Sequence, residues 1–167
     1  MLEIRTYVDI NASAALVWGI LTDFRSYKRW NPFIRAVLGQ AQVGNSIEIT
    51  QDVAAIGGPT FRSTVTHVRE PRELRWLGGW AVPGLYSAEH RFGIESRPDG
   101  RVRLHHGGKY RGVIVPFLQR RLQSTMQPAF DAMNIALKRR AERAEVPSAP
   151  ITVVPAPPAA ESRYTPR

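Results

Sequence analysis

Residues 116–140 read PFLQRRLQSTMQPAFDAMNIALKRR, and the period of this stretch decides the fold. Leu118, Leu122, Met126, Phe130, Met133 and Leu137 recur at steps of four, four, four, three and four. That is the apolar stripe of one long amphipathic helix. Pro128 lies inside it, without an N–H and crowding the carbonyl of Ser124, and so predicts a kink. Lys138, Arg139, Arg140 and Arg143 close the helix, where cations favour its dipole.

Upstream of Pro116 the period is two instead. Ile47, Ile49, Gln51 and Val53 share one side of a strand, with Glu48, Thr50 and Asp52 opposite. Gly57-Gly58-Pro59 marks a turn or bulge. Phe61, Ser63, Val65 and His67 then alternate against Arg62, Thr64 and Thr66. Glu70-Pro71-Arg72 turns the chain into Leu74, Trp76, Gly78 and Trp80. Pro83-Gly84 precedes Tyr86, Ala88, His90, Phe92 and Ile94. The hairpin signal Pro98-Asp99-Gly100 leads to Val102, Leu104, His106, Gly108 and Tyr110. Short turns between such runs describe an antiparallel meander.

The chain opens on a strand with Leu2, Ile4, Val8 and Ile10 on one face. Asn11 or Ser13 caps a following helix carrying Leu16, Val17, Ile20 and Leu21. Asp23 to Arg29 reads as a second short helix, stopped by Asn31-Pro32 because the residue before proline avoids helical angles. A sheet must cover its apolar face, and the helix after Pro116 offers the only long apolar stripe to do so. The expectation is one α+β domain over residues 1–145, a curved antiparallel sheet gripping the C-terminal helix around an apolar cavity. Residues 146–167, with prolines at 147, 150, 155, 157, 158 and 166, read as a proline-rich disordered tail.

Composition bounds the chemistry. The 167 residues suffice for one domain with a sizeable core. No apolar run is long enough to span a bilayer. The charged, alternating start is not a secretory segment, which makes the cytoplasm the expected compartment. Zero cysteines exclude a disulfide framework, a thiolate nucleophile, an iron–sulfur cluster and a cysteine zinc site. The net charge of +9 is scattered and carried almost entirely by Arg, so no specific nucleic-acid partner is expected. Neither H-E-x-x-H, G-x-S-x-G nor a phosphate loop occurs. His105 and His106 point to opposite faces of one strand and cannot chelate a single ion. His67, His90 and His106 share a face but lack a carboxylate, so neither a metal nor another cofactor is expected.

Certain short pieces stand in a telling order. They are Val17-Trp18 with Leu21-Thr22-Asp23-Phe24, then Tyr27 with Trp30-Asn31-Pro32-Phe33. Glu73-Leu74-Arg75-Trp76 and Glu89-His90-Arg91-Phe92 follow, and Met133-Asn134 with Ala136-Leu137-Lys138 closes the set. In this order the chain resembles the START-like helix-grip (SRPBCC) superfamily, in its polyketide cyclase/dehydrase and lipid transport branch. The resemblance implies a seven-stranded sheet wrapped around the last helix, with a ligand cavity between them. Relatives often place a carboxylate on the last strand, in a pattern like Glu-x-Phe-x-Gly. Here that pattern reads Gly108-Lys109-Tyr110-Arg111-Gly112, and the acid is missing.

Strand parity assigns the expected ligand-binding residues. Trp76, Trp80, Tyr86, His90, Phe92, His106 and Tyr110 line the inner face, with Gln51 as a polar point. Met126, Phe130 and Met133 face them from the helix, and Trp30 and Phe33 join at one end by family analogy. The same aromatics also read as plain core packing. The expected function is to bind or carry a hydrophobic or amphipathic small molecule, such as a lipid, polyketide or aromatic compound. A metal-free cyclase or dehydratase is the alternative, with His90 or His106 as acid or base and Tyr110 as donor. A third reading takes the outer cations Arg91, Arg101, Arg103, Lys109 and Arg111 as a contact for an anionic membrane or acidic partner.

Overall fold

The computed structural model describes residues 1–52 and 60–145. Val53, the Gly57-Gly58-Pro59 turn and the tail over 146–167 lie outside the described residues. Strand β1 (Leu2–Ile10) leads into helix α1 (Ala14–Thr22), a 3-10 turn (Phe24–Ser26) and the one-turn helix α2 (Tyr27–Trp30). Six strands follow: β2 (Ile34–Leu38), β3 (Ser46–Gln51), β4 (Thr60–Arg69), β5 (Glu73–Gly79), β6 (Ser87–Ser96) and β7 (Val102–Arg111). Helix α3 (Val115–Glu145) closes the described chain. The strands form one antiparallel seven-stranded sheet in the order β1-β7-β6-β5-β4-β3-β2, curled around α3. This is the α+β helix-grip architecture.

Local chemistry sets the element ends. Ser13 Oγ accepts the Leu16 N–H at 3.4 Å and caps α1. Asn31 Oδ1 accepts from the backbone N–H groups of Phe33 and Ile34 at 2.9 and 2.8 Å, turning α2 into β2. The buried Tyr27 hydroxyl donates to the Leu21 carbonyl at 2.6 Å and ties α2 to α1. The α3 stripe from Met126 through Phe130, Met133 and Leu137 to Ala141 is buried against the sheet. Pro128 sits on the exposed side, and α3 continues through it as a single 31-residue helix. The Ser124 carbonyl that loses its helical donor is there within reach of water.

One part of the inner face differs from simple alternation. The β4–β5 register shifts between Val65 and His67. Such a bulge reverses the parity beyond it. Val68 therefore packs against the core, and His67 is exposed. His67 does not join His90 and His106.

Candidate functional site

Cross-strand rows explain where the interior is filled and where it is hollow. One row pairs Leu74 with Phe92, Phe92 with His106 and His106 with Thr6. The next pairs Val65 with Trp76, Trp76 with His90 and His90 with Gly108. A third pairs Ser63 with Gly78, Gly78 with Ala88 and Ala88 with Tyr110. The first two rows carry large rings that fill the space under α3. Ser, Gly and Ala cannot, and a cavity of about 390 Å³ opens above that row. Its volume lies within the range of small-molecule sites.

Trp76, His90 and Gln51 border the cavity from the sheet, and Leu118, Leu122 and Met126 from the first half of α3. Trp80, Tyr86 and Tyr110 make a continuous aromatic wall, with ring centroids 5.5 and 6.4 Å apart. Burial raises the Tyr86 hydroxyl to about 12 and the Tyr110 hydroxyl further, so both are neutral. The Tyr110 ring lies over Gly108, where a Cβ would meet its hydroxyl oxygen at 2.9 Å. The lack of a side chain at Gly108 thus leaves room for Tyr110 to fold across the strand.

Behind His90 runs a buried polar chain through three other elements. His90 Nε2 lies 2.7 Å from His106 Nε2, and His106 Nδ1 lies 2.8 Å from Asn134 Oδ1 on α3. Asn134 Nδ2 donates to Thr6 Oγ1 at 2.8 Å, and the Thr6 hydroxyl donates to the His106 carbonyl at 3.0 Å. Both imidazoles stack among Phe92, Phe130 and each other, with centroids 4.4 to 5.2 Å apart. Burial disfavours the imidazolium and drives His90 well below its ordinary pKa. It lowers His106 to about 4, although the Asn134 side chain and the Phe130 carbonyl oppose that shift.

Of the thirteen expected site residues, seven border the cavity, five are buried beyond it, and Trp30 stands apart from both groups. Gln51, Trp76, Trp80, Tyr86, His90, Tyr110 and Met126 border the cavity. Phe33, Phe92, His106, Phe130 and Met133 are buried beyond it, in the filled part of the core. Phe33 stacks on His90 and meets Phe130 edge-on. Trp30 packs on Tyr27, with its Nε1–H donating to Ser26 Oγ at 3.2 Å. Sequence reasoning missed Phe61, Ser63, Ala88 and Thr125 as lining, and Thr6 and Asn134 as partners of the histidines. Asn134 had left a signal, a polar residue beside Met133 and four after Phe130, within the apolar stripe.

The outer cations of the last hairpin mostly face carboxylates. Arg91 pairs with Glu73, Arg101 with Asp99, Arg103 with Asp9 and Lys109 with Glu3. The Arg103–Asp9 pair is bidentate, at 2.7 and 2.8 Å. Exposed apolar side chains gather elsewhere, on the segments bordering the cavity. Trp80, Val82, Val113 and Phe117 are 50, 58, 69 and 88% exposed. Their segments are joined by the Val113 N–H donating to the Gly84 carbonyl at 3.0 Å. No helix among the described residues is long and apolar enough to cross a membrane.

The family model for polyketide cyclase / dehydrase and lipid transport matches residues 1–142. The chain belongs to that family. No curated protein sequence matches it. Among solved structures, a START superfamily protein from Mycobacterium smegmatis superposes with a TM-score of 0.68 at 18% identity, over 85% of this chain and 98% of that one. The Zhui aromatase/cyclase from Streptomyces sp. R1128 does so with 0.69 at 18% identity, over 85% and 94%. The Aha1 dimer from Colwellia psychrerythraea gives 0.63 at 18% identity, over 85% and 97%. At these identities the likeness concerns the fold.

Proposed function

We propose that this protein binds a hydrophobic or amphipathic small molecule, such as a lipid, polyketide or aromatic compound, between α3 and the Ser63–Gly78–Ala88 row. The observation that carries this reading is a cavity of about 390 Å³ beside an otherwise filled core. Burying a ligand's apolar area there is worth ~25 cal/mol per Å² before the costs of ordering it. The aromatic wall and the side chain of His90 would orient the ligand. Native mass spectrometry of freshly purified protein, followed by solvent extraction, tests the reading. A protein that arrives empty and binds nothing from a lipid and aromatic library would overturn it.

A second reading makes the protein a cyclase or dehydratase. It is favoured by an uncharged imidazole at the cavity wall, a group able to take a proton. His106 lies behind His90, so His90 would touch the reacting molecule, with Tyr110 as hydrogen-bond donor. His90→Ala would then abolish turnover and leave binding largely intact. A contact with an anionic membrane is better supported by the apolar rim than by the paired outer cations. Vesicle sedimentation with rim variants tests that contact.

A further inference from the structure

Hydrogen-bond direction can be followed from one end of the buried chain to the other. The Thr6 hydroxyl has a single proton, and it goes to the His106 carbonyl. Thr6 Oγ1 therefore accepts from the Asn134 Nδ2–H. That leaves Asn134 Oδ1 facing His106 Nδ1, so His106 carries its proton on Nδ1. A neutral imidazole protonated at Nδ1 has only a lone pair at Nε2. The proton between the two rings thus belongs to His90 Nε2. His90 is left with a lone pair on Nδ1.

That lone pair meets no donor among the described residues. The side-chain nitrogens and oxygens that are both sealed and unpartnered are Asn31 Nδ2 and Thr66 Oγ1, and His90 Nδ1 is not one of them. His90 is 6% exposed and belongs to the cavity wall, so the space its Nδ1 meets is the cavity. Arg121 and the indole N–H groups of Trp76 and Trp80 can only donate there, and the remaining polar side chains are adaptable. Hydroxyls of Ser63, Tyr86, Tyr110 and Thr125 and the amide of Gln51 can each donate or accept. Glu89 borders the cavity from a position paired with Leu77 and Lys109, on the outer parity of β6. Among the described residues, His90 is the inward side chain that can only accept.

Resting on the small-molecule reading above, we infer that the ligand carries a hydrogen-bond donor, a phenol, enol or alcohol hydroxyl, which seats on His90 Nδ1. Asn134 is a positioning residue for that recognition, acting through His106. An apolar molecule of the same shape leaves the lone pair unsatisfied, and so does the methyl ether of the donor. Such a loss is worth about tenfold in affinity or more at a buried site.

The test uses the whole protein with 1-naphthol, 1-methoxynaphthalene and naphthalene, followed by quenching of tryptophan fluorescence from the wall. Wild type should prefer 1-naphthol by about tenfold or more. His90→Phe should bind all three alike. Long-range proton–nitrogen NMR on unliganded wild type should show His90 protonated at Nε2 and bare at Nδ1. This reading survives any failure of the variant to fold. Equal binding of the three probes by wild type, or a His90 proton on Nδ1, would overturn the donor inference alone. Binding of none would overturn the small-molecule reading, and the donor inference with it.

Discussion

His90 Nε2 and His106 Nε2 lie 2.7 Å apart in the core, so one ring donates its proton and the other accepts it. Each ring is worth more in company than alone. His106→Phe keeps an aromatic plane within the stack but strands the His90 N–H and the Asn134 carbonyl oxygen. His90→Phe strands only the His106 lone pair. At roughly 1–3 kcal/mol per stranded buried group, His106→Phe should cost the more stability. The double variant should cost less than the sum of the two, with a coupling of about 0.5–3 kcal/mol. Urea unfolding of the four proteins measures the cycle. Strict additivity would mean that the hydrogen bond contributes nothing.

Acid should be felt through the same pair. A histidine whose folded pKa lies below its unfolded value binds protons more readily when unfolded. Its effect on stability is therefore nil above the unfolded pKa and turns unfavourable as pH falls below it. For His106 that window runs from 6.5 down to about 4, and the integrated loss is roughly 3 kcal/mol. His90 acts in the same direction. The carboxylates of Glu3, Asp9, Glu73 and Glu95 are held low by their Arg or His partners and lose that support at lower pH. Stability should be level above pH 7 and decline between about 6.5 and 4.5. The double His→Phe protein should lose that part of the slope while keeping the steeper fall below it.

The sheet, its face and the gripping helix were legible because burial writes itself as period. Inward positions on β3, β5, β6 and β7 alternate, and α3 repeats at three and four. What period cannot express is depth. Trp76 and Phe92 have the same parity, yet one borders the cavity and the other fills the core. The difference lies in cross-strand register, which brings Ser63, Gly78 and Ala88 side by side from three strands. Local deviation was equally invisible, since the bulge that turns His67 outward leaves no mark in the alternation of Phe61, Ser63 and Val65. Thr6 and Asn134 are 128 residues apart, and no local pattern joins them.

The row of small residues makes a prediction of its own. Ala88 faces inward between Gly78 and Tyr110 and borders the cavity. Ala88→Phe puts a ring into space that is already open, so overpacking strain should stay within about 1–3 kcal/mol. Ligand binding should fall by at least tenfold while circular dichroism and the thermal midpoint change little. Retained affinity would place the ligand outside this cavity.

Gly112 controls how α3 joins the sheet. Its φ is +128°, a conformation strained for any residue with a side chain, and a Cβ there would collide with the Leu85 carbonyl oxygen. The same connection carries the bond from Val113 to Gly84 and aligns the loop before β6 with the start of α3. Gly112→Ala should therefore destabilise the protein by about 2 kcal/mol or more. Hydrogen exchange should rise first in 80–86 and 113–118, since these segments meet at that connection. Uniform loss of protection would show that the joint is not a local weak point.

The apolar rim sets the final expectation. Phe117 is 88% exposed and stands near Arg120 at the start of α3, while Trp80 and Val82 lie on the loop tied to that start. Exposed rings beside cations fit the boundary of an anionic bilayer, where each basic residue adds ~1 kcal/mol. Phe117→Ser removes a ring that touches little in the folded protein, so stability should change by less than about 0.5 kcal/mol. Sedimentation with phosphatidylserine vesicles should fall several-fold for Phe117→Ser and further for Phe117→Ser with Trp80→Ser. Reversing Arg101 and Arg103, already paired with Asp99 and Asp9, should have the smaller effect. The opposite ranking would move the contact to the outer face of the sheet, and equal sedimentation of all variants would remove the rim from any role at a membrane.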